Sequence, residues 1–175
     1  MHVVVASGWP GCGKSTIADA VALELGGAVA SFDWLMSALR SFPDLWGDVE
    51  LPVDRQRRIG WALMSRLAEQ QLRRGTSVVM DLVARPEVLT EWRELADRYG
   101  ASFSVIECVC RDEAIHRERV QGRVRAIPGW YELEWGNVVA SREHYVPLPD
   151  PKLVIDAVDP LADNVERALR FLRTA

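Results

Sequence analysis

The sequence predicts an α/β fold, a mostly parallel sheet covered by helices on both faces. Three observations predict it. Short apolar runs alternate with longer amphipathic ones, the pattern of repeated βα units. The first junction, Gly8-Trp9-Pro10-Gly11-Cys12-Gly13-Lys14-Ser15 with Thr16 behind it, fits G-x-x-x-x-G-K-[ST] between a strand-like and a helix-like run. Two acidic residues, Asp33 and Asp81, stand directly after apolar runs, where parallel sheets bind their ligands.

Each element has its own reason. Residues 3–6 are an unbroken apolar run and read as the first strand, followed by a helix over 14–25. Residues 28–32 are a short apolar strand. A short helix over 33–41 enters behind Asp33, a residue type that caps helices. Residues 42–52 hold two prolines and a glycine and read as a loop. Over 54–74, Ile59, Leu63, Leu67 and Leu72 recur at helical spacing, and Gly75 ends the helix. Residues 77–80 are a strand closed by Asp81. Pro86 opens a helix to about residue 99, ended by Gly100. Residues 102–109 are a strand and 112–125 an arginine-rich helix. Residues 126–151 are irregular apart from one helix near 135–144. Residues 153–155 and 160–173 are the last strand and helix.

A chain of 175 residues, 49% hydrophobic and 26% charged, suits one domain with one sizeable core. No linker or repeat divides it, so the expectation is a single domain over 1–175. The net charge of −4 argues against a general nucleic-acid footprint. No apolar run reaches membrane-spanning length, and the N-terminus lacks a signal-peptide layout, so a cytoplasmic location is expected. Cys108 and Cys110 lie two apart in an apolar run and should be buried. Cys12 reads as a small loop-filling residue, although inward N–H groups can lower a thiol's pKa. His2, His116 and His144 form no constellation.

The glycine-rich junction dictates phosphate chemistry. Its backbone N–H groups can turn inward around phosphate oxygens, and the following helix adds its own N-terminal N–H groups. Lys14 reaches the β- and γ-phosphates, and the Ser15 hydroxyl suits Mg²⁺. Gly8, Pro10, Gly11, Cys12, Gly13, Lys14, Ser15 and Thr16 are therefore expected to hold a nucleoside triphosphate.

Asp33 can take a proton from an attacking hydroxyl beside the γ-phosphate, or cap its helix. Asp81 can orient Mg²⁺ or face the substrate. Arg119 and Arg123, four apart, are expected on one helix face, clamping the transferring group. Gly122 between them suits a moving lid around 112–136. The neighbouring Arg111, Arg117 and Arg125 read as a solvated face. Arg40 and Arg85 are candidates to touch the acceptor or a phosphate, with solvation equally open. Trp34, Trp46, Trp130 and Trp135 fall near the cleft, while Trp61 and Trp92 read as packing. The loop from Asp44 to Glu50 adds acidic groups, a wall that suits a flat or cationic acceptor.

Taken together, these residues resemble the small P-loop kinases that phosphorylate hydroxyls, including gluconate kinase, chloramphenicol phosphotransferase, zeta toxin and polynucleotide 5′-kinases. The similarity rests on the GWPGCGKST loop, Ser31-Phe32-Asp33-Trp34-Leu35, Val78-Val79-Met80-Asp81, Arg119-Val120-Gln121-Gly122-Arg123 and the closing Leu153-Val154-Ile155-Asp156. The resemblance implies a three-layer P-loop fold with a five-stranded parallel sheet in the order 2-3-1-4-5. It implies Asp33 as general base, Arg119 and Arg123 on ATP, and residues 156–160 beside adenine. Leu82-Val83 after Asp81 and the stretch 126–148 depart from the family's pattern on the acceptor side. The expected activity is transfer of the γ-phosphate of ATP, with Mg²⁺, to a hydroxyl of a small molecule such as an antibiotic, a sugar or a nucleoside. A nucleoside monophosphate kinase, a polynucleotide 5′-kinase and a non-catalytic ATP-binding regulatory module are the alternatives.

Overall fold

A computed structural model describes residues 1–42 and 52–174. Among them five strands, β1 (His2–Gly8), β2 (Ala28–Ser31), β3 (Val78–Asp81), β4 (Ser102–Val109) and β5 (Leu153–Asp156), pair in parallel in the order β2-β3-β1-β4-β5. That is the order the resemblance implies. The helices are α1 (Lys14–Glu24), α2 (Phe32–Arg40), α3 (Val53–Arg73), α4 (Pro86–Arg98), α5 (Glu113–Gln121), α6 (Trp135–Glu143) and α7 (Leu161–Leu172). The acidic loop from Asp44 to Glu50, with Trp46, lies outside the described residues.

The continuous apolar strands make sense because both faces of the sheet are covered. Side chains alternate along β1. Val3 and Val5 enter one core with Met64 and Leu72 of α3 and Trp92 of α4. Val4 and Ala6 enter the other with Ile17 and Val21 of α1 and Leu172 of α7. Cys108 and Cys110 are both buried in the second core, as expected. In register, Ala6 and Ser31 both stand beside Asp81, and Ser7 stands beside Glu107. The chemistry-bearing residues therefore gather at the carboxyl ends of the strands.

Three local expectations are corrected. The buried ridge of α3 is Gly60, Met64, Ala68 and Leu72, while Ile59, Leu63 and Leu67 are only half-buried. The small residues are there for closeness: a Cβ on Gly60 would lie 2.1 Å from Phe32 Cε2. Next, α2 starts one residue earlier than predicted, with Ser31 at the N-cap position. Asp33 thus sits inside the first turn and does not cap the helix. Finally, α5 ends at Gln121 with Gly122 as its C-cap. Arg123 and Arg125 follow the helix, so Arg119 and Arg123 do not share a helix face.

Candidate nucleotide and acceptor site

Between β1 and α1 the chain turns through Gly13, the N-cap of α1, at φ 79°. An L side chain rarely adopts that angle. The first turn of α1 has neither a side-chain cap nor an acidic residue. Its N–H groups and the positive end of the helix dipole therefore remain for an anion. Lys14 is buried at this point. Above the loop is a cleft of about 420 Å³, rimmed by Arg119, Arg123, Ala157 and Asp159. Arg119 donates to the Ala157 carbonyl at 2.8 Å, tying α5 to the loop after β5. Arg119 and Arg123 meet at the cleft even though no helix face aligns them.

Cys12 is fully buried in the loop, and burial pushes its thiol up to about 11. It packs in the second core against Gly8, and its burial disfavours the thiolate.

Next to the loop, Asp81 is 6% exposed. Ser31 Oγ donates to its Oδ2 at 3.2 Å, while Oδ1 is buried without a partner. An orphaned carboxylate oxygen is costly unless a cation or donor completes it. Among the described residues no group of three or more His, Cys, Asp or Glu is placed to cage a metal. The open Asp81 carboxylate oxygen and the Ser15 hydroxyl are each donors of the kind Mg²⁺ takes, since it uses few protein ligands and completes its shell with phosphates and water.

Asp33 is engaged by Arg125, whose Nη1 donates to Asp33 Oδ2. The Arg125 side chain is only 6% exposed. Its Nη2 donates to the Tyr131 carbonyl at 2.8 Å, and its Nε lies 3.5 Å from Glu132. The expectation of a solvated Arg125 is therefore wrong: this guanidinium is buried and holds the carboxylate. Arg123 is half-buried between the two halves of the site. Burial, and then the neighbouring Arg125, lower its pKa, while Asp33 and Asp81 act the other way.

The remaining candidates lie apart. The Arg40 guanidinium sits over Trp130 and Tyr131, 4.8 and 5.2 Å from the ring centroids. Arg85 is the N-cap residue of α4 and lines a separate depression with Arg57, Arg58 and Glu91. Trp34 is 55% exposed beside Asp33. Arg117 stands over Trp135, and Arg111 lies 3.8 Å from Asp156.

Two clusters had no sequence signal. His116 is completely buried against the phosphate loop. Glu107 of β4 accepts from Tyr145 and pairs with Lys152 at 3.1 Å. Burial and the Glu107 contact raise the Tyr145 pKa. These partners are 106, 38 and 45 residues apart in sequence, and no local pattern links them.

Comparison with known proteins agrees with the fold. The sequence profile of the AAA domain matches residues 3–129. No curated protein matches the chain. A sugar kinase from Janibacter sp. HTCC2649 superposes with a TM-score of 0.68 at 22% identity, covering 99% of this chain and 95% of its own. A gluconokinase from Sinorhizobium meliloti 1021 gives 0.67 at 21% identity, with coverage of 99% and 91%. The Mycobacterium tuberculosis APS kinase CysC, solved with AMPPNP and APS, gives 0.64 at 16% identity, with coverage of 98% and 96%. At these identities the likeness shows a common P-loop kinase-like fold. Among the described residues no helix is long and apolar enough to cross a membrane.

Proposed function

Because the chain belongs to the AAA domain family, we propose that it is an ATP- and Mg²⁺-dependent phosphotransferase whose acceptor is a hydroxyl of a small molecule. One observation carries this reading. Arg123 rims the cleft above the phosphate loop, and two residues on, Arg125 holds Asp33, so one stretch of chain joins the donor side to the candidate acceptor side.

Each residue then has a task. Backbone N–H groups from Gly8 to Thr16 and the Lys14 ammonium hold the phosphates. Ser15 and Asp81 would hold Mg²⁺, which supplies charge neutralisation at the β- and γ-oxygens. Asp33 accepts the proton of the acceptor hydroxyl as its oxygen bonds to the γ-phosphorus and the bond to the β-phosphate oxygen breaks. Arg125 occupies one Asp33 oxygen and leaves the other for that hydroxyl. Arg119 and Arg123 close over the charge that develops on the transferring group. Residues 112–136 act as the lid, with α5 as its fixed end on the phosphate loop and the stretch after Gly122 as the part that closes, within a single domain over 1–175.

A nucleoside monophosphate acceptor would need arginines converging on its phosphate. Arg40 and Arg85 point to separate places, which favours the hydroxyl acceptor. The test is ATP consumption across antibiotics, sugars, nucleosides and nucleotides, followed by mass spectrometry for the phosphorylated product. A Mg²⁺-dependent phosphate adduct on a hydroxyl is expected. ATP turnover without any acceptor, or adducts on nucleotide phosphates alone, would overturn the reading.

A further inference from the structure

His116 lies on the middle turn of α5 and is fully enclosed. Its Nε2 is 2.8 Å from the carbonyl oxygen of Pro10, in the middle of the phosphate loop. Its Nδ1 is 2.7 Å from Nη2 of Arg142 on α6. These partners decide the tautomer. A carbonyl can only accept and a guanidinium can only donate, so Nε2 carries the proton and Nδ1 is a bare acceptor. The loop approaches α5 closely here, since a Cβ on Gly11 would lie 2.4 Å from Val120 Cγ2 and 3.0 Å from His116 Nε2.

Arg142 extends the connection. Its guanidinium stands over Trp9, the residue before Pro10 in the phosphate loop, at 4.8 Å, and over Trp135 at 5.1 Å. Trp135 meets the His116 ring edge-on at 5.3 Å. Tyr145, just after α6, meets Trp9 edge-on at 5.7 Å. The region 126–148, which the sequence left without a role, is therefore bolted to the outer face of the phosphate loop.

We propose that His116, with Arg142, is a positioning pair of the nucleotide site, a neutral-imidazole brace that holds the Pro10 carbonyl outward so that the loop's N–H groups face the phosphates. The inference rests on the nucleotide reading of the loop and adds its pH dependence. The charged groups around the ring are Arg142 from α6 and Glu113 and Arg119 from α5 itself. The phosphate loop presents the uncharged Pro10 carbonyl and Trp9. Arg142 also pairs with Glu113 at 3.4 Å. Protonation at Nδ1 sets an N–H against the Arg142 N–H groups and breaks that side of the brace. Burial lowers the His116 pKa below its usual value; the Pro10 carbonyl and Glu113 oppose the shift and the two arginines add to it. The bare Nδ1 that faces Arg142 exists only in the neutral ring, so the brace fails in acid.

The experiment is calorimetric titration of the full chain with Mg²⁺·ADP from pH 5 to 8, read for wild type, His116→Gln, His116→Leu and Arg142→Met. A glutamine amide can donate to Pro10 and accept from Arg142 without titrating. H116Q should bind close to wild type at pH 7.5 and lack the wild-type loss of affinity in acid, beyond what nucleotide protonation causes in both. H116L should bind about tenfold more weakly at every pH, the scale of losing one partner of a buried hydrogen bond. R142M removes the guanidinium from His116 and Trp9 but leaves the His116–Pro10 bond, and should weaken binding less while flattening the acid limb. The double variant H116L/R142M should be no worse than H116L alone. Equal affinity for wild type and H116L, or an acid limb in H116Q matching wild type, would overturn the brace and leave the kinase reading standing. Wild type that does not bind Mg²⁺·ADP would overturn both.

Discussion

A carboxylate that serves as a proton acceptor must be held still without being capped off, and Asp33 meets that condition through Arg125. The Asp33 side chain is 34% exposed and the Arg125 side chain 6% exposed, so the pair is anchored from the arginine side. The arginine in turn is fixed by the Tyr131 carbonyl and Glu132. Asp33→Asn keeps the shape and removes the carboxylate proposed as the base. Nucleotide affinity should stay near wild type while turnover falls by about 100-fold or more, read by steady-state kinetics beside calorimetric binding. An undiminished rate would remove Asp33 from proton transfer. Arg125→Met should behave differently. It strips a buried cation from three partners, yet water can reach the orphaned Asp33. The stability loss should be about 1–3 kcal/mol, less than for a fully buried pair, measured by urea denaturation. Turnover should fall along with it, because the carboxylate loses its orientation.

The strand-to-helix turn that carries Asp33 is shaped by the helix packed against it. Phe32 lies over Gly60 of α3, where a methyl group would come within 2.1 Å of the ring. Gly60→Ala therefore sets helix propensity, which favours alanine by about 1 kcal/mol, against overpacking, which costs about 1–3 kcal/mol. Overpacking should win, giving a lower melting temperature. Turnover should fall more than nucleotide affinity, because the displaced element carries Asp33 and not the phosphate loop. The opposite outcome, a more stable and fully active G60A, would show that Phe32 can swing aside. This contact also explains what the sequence could not show. Helical spacing marked α3 correctly, and Leu67 and Leu72 do reach the core, but Gly60, Met64 and Ala68 pack deeper than Ile59 and Leu63. A ridge chosen for close approach is built from small residues, which hydropathy does not flag. Likewise, the arginine run over 112–125 looked helical throughout. Gly122 instead ends α5, and Arg125 turns back to Asp33 across 92 residues of sequence.

Across the whole molecule, the legible part was whatever the chain encodes locally. The phosphate loop, the acidic residues just after β2 and at the end of β3, and the βα alternation each lie within a few residues, and the sheet order followed from the family resemblance. His116 on Pro10, Tyr145 on Glu107 and Arg125 on Asp33 exist only after folding, so periodicity carried no trace of them. The same topology makes the nucleotide site a junction of the chain's ends. Gly13 and Lys14 after β1 and Ala157 and Asp159 after β5 border one cleft, and Arg119 bonds the Ala157 carbonyl across it. A ligand there contacts the first and last βα units at once, so its binding energy should add to the stability of the entire fold. At a concentration of about 100 times Kd, a nucleotide that binds only the native state contributes about 2.7 kcal/mol. For a chain of this size each kcal/mol raises Tm by roughly 2–4 °C. Saturating Mg²⁺·ATP should therefore raise Tm by roughly 5–10 °C in a single transition, followed by differential scanning calorimetry. Lys14→Ala should fold with its own Tm near wild type, since the lysine lines the cleft, and should show almost no nucleotide shift. A shift that survives in K14A would place the nucleotide elsewhere on the molecule. A shift confined to one of two transitions would show that β5 and α7 unfold apart from the phosphate loop, and the single cooperative domain would then be wrong.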